Sequence, residues 1–199
     1  GMATHLVLPR LAEFLNRYPP LEIELSCTDH RVDVVREGFD CVIRSGTLKD
    51  SGLIARPLGH LSMINCASPG YLRRYGTPDH PDQLAQHAMV HYEQILGSHT
   101  SAFEYLDGKQ VKTVKSGGAV TVNSTETYVS ACINGLGIIQ VPLIGVRDAL
   151  AGGQLVSILP QFRAPPMPVT LVYPHRLNLS RRVKVFMDWL TDITQTFIA

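Results

Sequence analysis

A chain that binds nucleic acid unaided carries a surplus of lysine and arginine to neutralise phosphates, and this chain has none. Its 18 Lys and Arg stand against 17 Asp and Glu, a formal net charge of +1. Autonomous DNA binding is therefore disfavoured. Long apolar runs are missing too, as is a charged start leading into an apolar stretch. Neither a membrane span nor a signal peptide is read, and a cytoplasmic location is expected. Cysteine is scarce: Cys27, Cys41, Cys66 and Cys132 are the only four, and none forms a Cys-x-x-Cys pair. That pattern disfavours zinc and fits buried free thiols in a reducing compartment. A Gly-x-Ser-x-Gly elbow, a Gly-Lys-Ser/Thr phosphate loop and paired acids are absent as well. Catalysis has no support, and no metal or cofactor is expected.

What is present is a globular composition. The 199 residues are 45% hydrophobic and 18% charged, enough for one sizeable core or two small lobes. Helix and strand patterns alternate, which argues for a parallel α/β sheet. Apolar spacing predicts a first helix over residues 6–18, with Thr4 as N-cap and Pro19-Pro20 as its stop. Residues 21–28 alternate like a strand, Asp29 can cap a helix over 31–37, and Gly38 can end it before a strand at 40–44. Further strands are expected at 53–58, 61–66, 88–92, 120–123, 138–141 and 169–173. A hairpin should turn at Asp107-Gly108. Helices are expected to begin at Ser68-Pro69, Ser124 and Ser180, with shorter ones at 81–86 and 144–151.

The run Asp40-Cys41-Val42-Ile43-Arg44-Ser45-Gly46 is the most informative stretch. A β-α-β reading places residues 28–30 and 44–46 on one rim, beyond the carboxyl ends of two strands, where open α/β sheets hold ligands. The planar fork of Arg44 could take a carboxylate through two charge-assisted bonds, or it could simply cap the sheet or pair with a surface acid. Ser124 and Thr125 open a helix, so they either close its N-terminus or offer it to an anion. His87 and His91 have the spacing of helical zinc ligands, but on a β-like run and without the glutamate of that motif. Gly135-x-Gly137 lacks the third glycine of a dinucleotide fingerprint and reads as a helix stop with close backbone packing. Arg181, Arg182 and Lys184 read as the solvated side of an amphipathic helix.

Five stretches in register carry a resemblance: Arg17-Tyr18-Pro19 closing helix one, Cys41 to Gly46, Ala67-Ser68-Pro69-Gly70-Tyr71-Leu72 with Gly76-Thr77-Pro78, Gly135-Leu136-Gly137-Ile138 with Pro142, and Val185-Phe186-Met187-Asp188-Trp189-Leu190. In order and spacing they resemble the effector-binding domain of LysR-type transcriptional regulators, over essentially the whole chain. The resemblance implies a two-lobed, periplasmic-binding-protein-like α/β fold, each lobe a mostly parallel sheet flanked by helices. Lobe I would comprise 1–64 and 168–199 and lobe II 65–167, with crossings near 64–66 and 167–169. It also implies a small anionic effector in a cleft between lobes. Thr4, Thr28, Arg44 and Ser45 would touch it from lobe I, and Ser124, Thr125 and Gln140 from lobe II. Side-by-side homodimers, with helices 31–37 and 124–134 supplying the surface, and DNA binding through a winged helix-turn-helix are further implications. Neither that domain nor the family's first lobe I strand has a counterpart here, so the chain resembles the regulatory half alone. The alternative is an exported solute-binding protein of a transport system, which shares the architecture.

Overall fold

A proline ring cannot follow a residue that is still helical without clashing, and the first helix stops accordingly. In the computed structural model, which describes residues 1–47, 52–98, 102–175 and 179–195, a π turn at Ala3–Val7 runs into α1 (Leu8–Arg17). Tyr18 leaves helical geometry just before Pro19. Thr4 lies inside that first turn rather than at its cap. The helix is already wound at Met2, and no side chain caps it. Phe14 is buried on α1, its ring 5.0 Å from Tyr18, 5.5 Å from Phe186 and 4.7 Å from Trp189. Truncating such a phenylalanine removes roughly 3–5 kcal/mol.

Residues 21–28 keep their alternating sequence but form no strand. A strand is stabilised by cross-strand neighbours, and this segment has no ladder partner among the described residues; Leu25 is left exposed. The helix expected at 31–37 is a single turn. Asp33, not Asp29, caps it: its Oδ1 accepts from the N–H groups of Val35 at 3.2 Å and Arg36 at 3.1 Å, and the Asp33 carbonyl accepts from Glu37 N–H at 2.9 Å. Three valines at 32, 34 and 35 disfavour longer helix, and Gly38 ends the turn at φ +75°.

The chain continues into β1 (Val42–Ser45) and β2 (Ile54–Leu61). It then builds β3 (Met63–Ala67), buried at all five positions, and α2 (Pro69–Tyr75), capped where Ser68 Oγ accepts from Tyr71 N–H at 3.3 Å. A 3-10 turn at Pro81–Gln86 leads to β4 (Ala88–Tyr92), the hairpin β5 (Phe103–Asp107) and β6 (Gln110–Val114), and β7 (Gly117–Val122). Next come α3 (Thr125–Ile133) and β8 (Ile139–Pro142). The helix expected at 144–151 is split by Gly145 and the β-branched Val146 into a 3-10 turn and α4 (Arg147–Ala151). After β9 (Val156–Ile158), the chain returns through β10 (Met167–Tyr173) to α5 (Arg181–Gln195), whose start is capped by Ser180 Oγ.

Two compact units result: 1–61 with 167–199, and 62–166. The chain passes between them at Leu61/Ser62 and Pro166/Met167, so residues 64–66, expected at a crossing, lie inside β3. In the first unit β10 pairs antiparallel with both β1 and β2. The expected β-α-β rim is therefore absent. A parallel pair needs a long crossover, whereas β1 finds its neighbour in a strand that returns from the other end of the chain. In the second unit β3 pairs antiparallel with β8 and β9, and β4 with β7 is the parallel pair. The mixed α/β, two-lobed architecture stands, but the expectation of mostly parallel sheets does not.

Gly137 shows why the break before β8 is glycine-rich. A Cβ there would lie 2.6 Å from the Ala88 carbonyl oxygen, within a backbone exchange in which Ile138 N–H donates to Ala88 O and Val90 N–H to Ile138 O. The cysteines divide by position. Cys66 and Cys132 are buried, the Cys132 thiol 3.5 Å from the Cys66 carbonyl, and its hydrogen bond with Cys66 together with burial pushes the Cys132 thiol well above the ordinary range. Cys41 is half-buried, and desolvation, aided by Asp40, raises it to about 11. Cys27 is exposed, contrary to the expectation of burial, because the segment carrying it is unpaired.

Candidate functional site

In the first unit, the end of β1 gathers three of the four expected residues. Arg44 and Ser45 close the strand opposite Thr170 and Val169, and Gly46, at φ +88°, turns the chain while its N–H donates to the Pro168 carbonyl at 2.8 Å. Arg44 Nη2 donates to the Val32 carbonyl at 2.7 Å, and Arg31 Nη2 reaches the Thr47 carbonyl at 3.5 Å. These two bonds tie the 28–33 loop to the end of β1. Thr28 sits on that loop, its hydroxyl accepting from His30 N–H at 3.1 Å. Arg44 is thus partly committed to its own scaffold, through one of the five N–H donors of its guanidinium. Thr4 is exposed on the first helical turn, and no hydrogen bond ties it to this loop.

In the second unit, Ser124 occupies the N-cap position of α3 in extended geometry, φ −125° and ψ 131°, but its side chain makes no cap hydrogen bond. Its carbonyl accepts from Tyr128 N–H at 2.9 Å. The helix therefore begins with a half-buried hydroxyl, followed at once by Thr125, and with the positive end of its dipole not closed by the Ser124 side chain. Such a terminus attracts anions.

Gln140 is placed differently. Its Nε2 donates to Asn65 Oδ1 and to the Glu104 carbonyl, both at 2.8 Å, and its Oε1 accepts from Glu104 N–H at 3.3 Å. Both amide hydrogens are occupied within the unit, so Gln140 stitches β5 to β8. Asn65, which sequence reasoning missed, completes the stitch. It is 1% exposed and donates to the carbonyls of Leu159 at 3.2 Å and Phe162 at 2.8 Å. An asparagine in an otherwise apolar strand was the available signal.

His91 sits on β4 and His87 just before it in extended geometry, so a four-residue spacing separates them along the chain instead of stacking them on a helix face. His87 is buried with Nδ1 3.2 Å from the Tyr71 hydroxyl, and burial holds its pKa below the usual histidine range. Among the described residues no cluster of histidine, cysteine and acid could hold a metal ion, and no helix is long and apolar enough to cross a membrane.

Comparison with known proteins agrees with this architecture. The family described as LysR substrate binding domain matches residues 1–195. An uncharacterised helix-turn-helix transcriptional regulator of Escherichia coli, YhjC, is 52% identical over 198 residues, covering 100% of this chain and 66% of that protein. A transcriptional repressor of Pseudomonas aeruginosa and the E. coli transcriptional activator AaeR are each 33% identical, covering 96% of this chain and 61% of theirs. The chain thus spans about two thirds of the length of these curated relatives or somewhat less. Among solved structures, the regulatory domain of CrgA from Neisseria meningitidis superposes with a TM-score of 0.82 at 31% identity, covering 96% of this chain and 93% of that one. The full-length virulence activator AphB of Vibrio cholerae gives 0.79 at 25% identity, covering 96% of this chain and 65% of that one.

Proposed function

The chain belongs to the LysR substrate-binding domain family and is the effector-binding domain of a LysR-type transcriptional regulator; we propose that its effector is a small anion. Arg44, Ser45 and Thr28 would hold it in the first unit, and Ser124 and Thr125 in the second. One observation supports this above the others: α3 begins at a serine whose hydroxyl is not used as a cap. An ordinary N-cap serine would accept a backbone N–H; Ser124 leaves its hydroxyl to a negative group, at a helix start whose dipole Glu126 in the first turn meets only in part. Thr4 and Gln140 support the proposal less, the first for its position and the second because its amide is occupied. The transport alternative is set aside, because the matched relatives are transcriptional regulators.

In the whole regulator, the effector's differential affinity for two arrangements of the protein would bias how the DNA-binding region engages its site. The domain works as a homodimer in the cytoplasm. Helix α3 remains available for the dimer surface, whereas 31–37 is one turn and offers no helix face. Small carboxylates should be screened by thermal shift and the best titrated calorimetrically into wild type, Ser124→Ala, Arg44→Ala and Arg44→Lys. Losing the arginine should weaken binding roughly ten- to a hundredfold, since charge-assisted bonds contribute about 1.5–3 kcal/mol, and lysine should restore part of it. Equal affinity across all four proteins would refute the assignment.

A further inference from the structure

We propose that residues 62–166 carry a second binding site, independent of the effector residues, for a small organic carboxylate with an aromatic or compact apolar body. A groove of about 510 Å³ runs between α2 and the carboxyl end of α3, walled by Tyr71, Arg73, Arg74, Tyr75, Asn134 and Gln154. That volume lies in the range of small-molecule pockets and is too small for a folded partner. It is also confined to one unit of the fold.

The chemistry of the wall is one-sided. Two guanidinium groups face the groove's residues and no carboxylate lines it. Neither arginine has an ion-pair partner among the described residues, where Arg56, by contrast, binds Asp188 at 2.8 Å. Arg74 is held in place by a ring instead of an acid, its guanidinium carbon 5.2 Å from the centroid of Tyr75. Arg73 lies over Gly70, where a Cβ would meet its Nη2 at 3.8 Å, an ordinary contact distance. The rings of Tyr71 and Tyr75 lie 4.8 Å apart and, with Ile133, form an apolar flank; Tyr75 remains 51% exposed. Asn134 donates its amide to the Ser130 carbonyl at 2.8 Å. Two unneutralised forks beside a half-exposed aromatic floor match a planar anion with a hydrophobic body, which a solvated basic face would not select.

Benzoate is the probe, with benzyl alcohol as its uncharged counterpart and acetate as its bodiless one. It is titrated into the 199-residue chain while backbone amides are followed by two-dimensional NMR. Saturable shifts are expected at Gly70, Gly135 and Gln154, with acetate weaker than benzoate and benzyl alcohol inert. The Arg73→Ala/Arg74→Ala double variant should lose at least tenfold in affinity at these amides, and the double lysine variant should fall between. Arg44→Ala should leave them unchanged. Shifts absent up to about 10 mM, the weakest range worth calling a site, or undiminished in the double alanine variant would overturn the proposal. Binding lost with Arg44→Ala but kept in the double alanine variant would overturn it too, while supporting the effector assignment.

Discussion

Residues 62–166 and the unit formed by 1–61 with 167–199 reach folded structure by different routes. Residues 62–166 close their polar groups on one another. Asn65, Gln140, Glu104 and Tyr128 form a connected set, and two buried clusters lie on either side of β3, one around Cys66 and Cys132 and one around Phe103 and Ile138. The unit of 1–61 with 167–199 packs a three-stranded antiparallel sheet and two helices around Leu6, Phe14, Leu171 and Leu190, and it leaves 21–28 without a ladder among the described residues. The lesson is that regularity depends on neighbours. Alternating Leu21, Ile23 and Leu25 present the same signal as any strand in the other unit, and only the partner is missing.

Glycines in the two units should accordingly differ in what they tolerate. Gly137→Ala drives a methyl group against the Ala88 backbone and should cost about 3 kcal/mol in urea unfolding, the upper range of overpacking. Gly38→Ala meets nothing within 4 Å and should cost only the left-handed penalty, roughly 1–2 kcal/mol. Equal costs would break the comparison. Next in size is Asn65→Ala, which leaves the Leu159 and Phe162 carbonyls and one Gln140 hydrogen without partners. About 2 kcal/mol should be lost, read as a shift of the unfolding midpoint at unchanged slope.

How much of this was legible beforehand follows the same division. In the second unit the caps and turns announced themselves: Ser68-Pro69 opens α2, Asp107-Gly108 turns the hairpin, and Gly137 marks the close approach of two backbones. Each is a local rule, so a single sequence carries it. Pairing direction is not local. That β1 lies against β10 across more than a hundred residues, and antiparallel, could not be read from alternation, and the β-α-β rim failed for that reason. The candidate site was legible in part. Arg44, Ser45 and Ser124 stand at element ends as expected, whereas the occupied amide of Gln140 depends on Asn65 and Glu104, distant in sequence.

Arg44 sharpens the comparison at a smaller scale. A solvent-facing arginine at a strand end would add nothing to folding. Its 2.7 Å bond to the Val32 carbonyl instead fastens the 28–33 loop, so Arg44→Ala should destabilise the ligand-free domain by about 1 kcal/mol as well as weakening effector binding. A melting temperature identical to wild type would show the loop held by other means. Arg44→Lys separates the two roles. Lysine can reach one carbonyl but cannot also present a fork, so stability should recover more than affinity does.

The smallest expected effect tests the unpaired segment directly. Leu25 is 41% exposed on 21–28, and Val35 is 65% exposed on the nearby turn. Because a residue already in water loses little when made polar, Leu25→Ser should change stability by no more than about 0.5 kcal/mol. Amide hydrogens from Glu22 to Cys27, having no ladder bonds, should exchange among the fastest in the chain, while those of β3 and β10 exchange with global unfolding. The two measurements must agree. Slow exchange together with a loss above about 1 kcal/mol would mean that a further strand pairs with this segment in solution and that the two units are built alike. Repeating both at several protein concentrations identifies a second copy as that strand's source: protection that grows with concentration belongs to a dimer, whereas constant, fast exchange leaves 21–28 the unpaired segment described here.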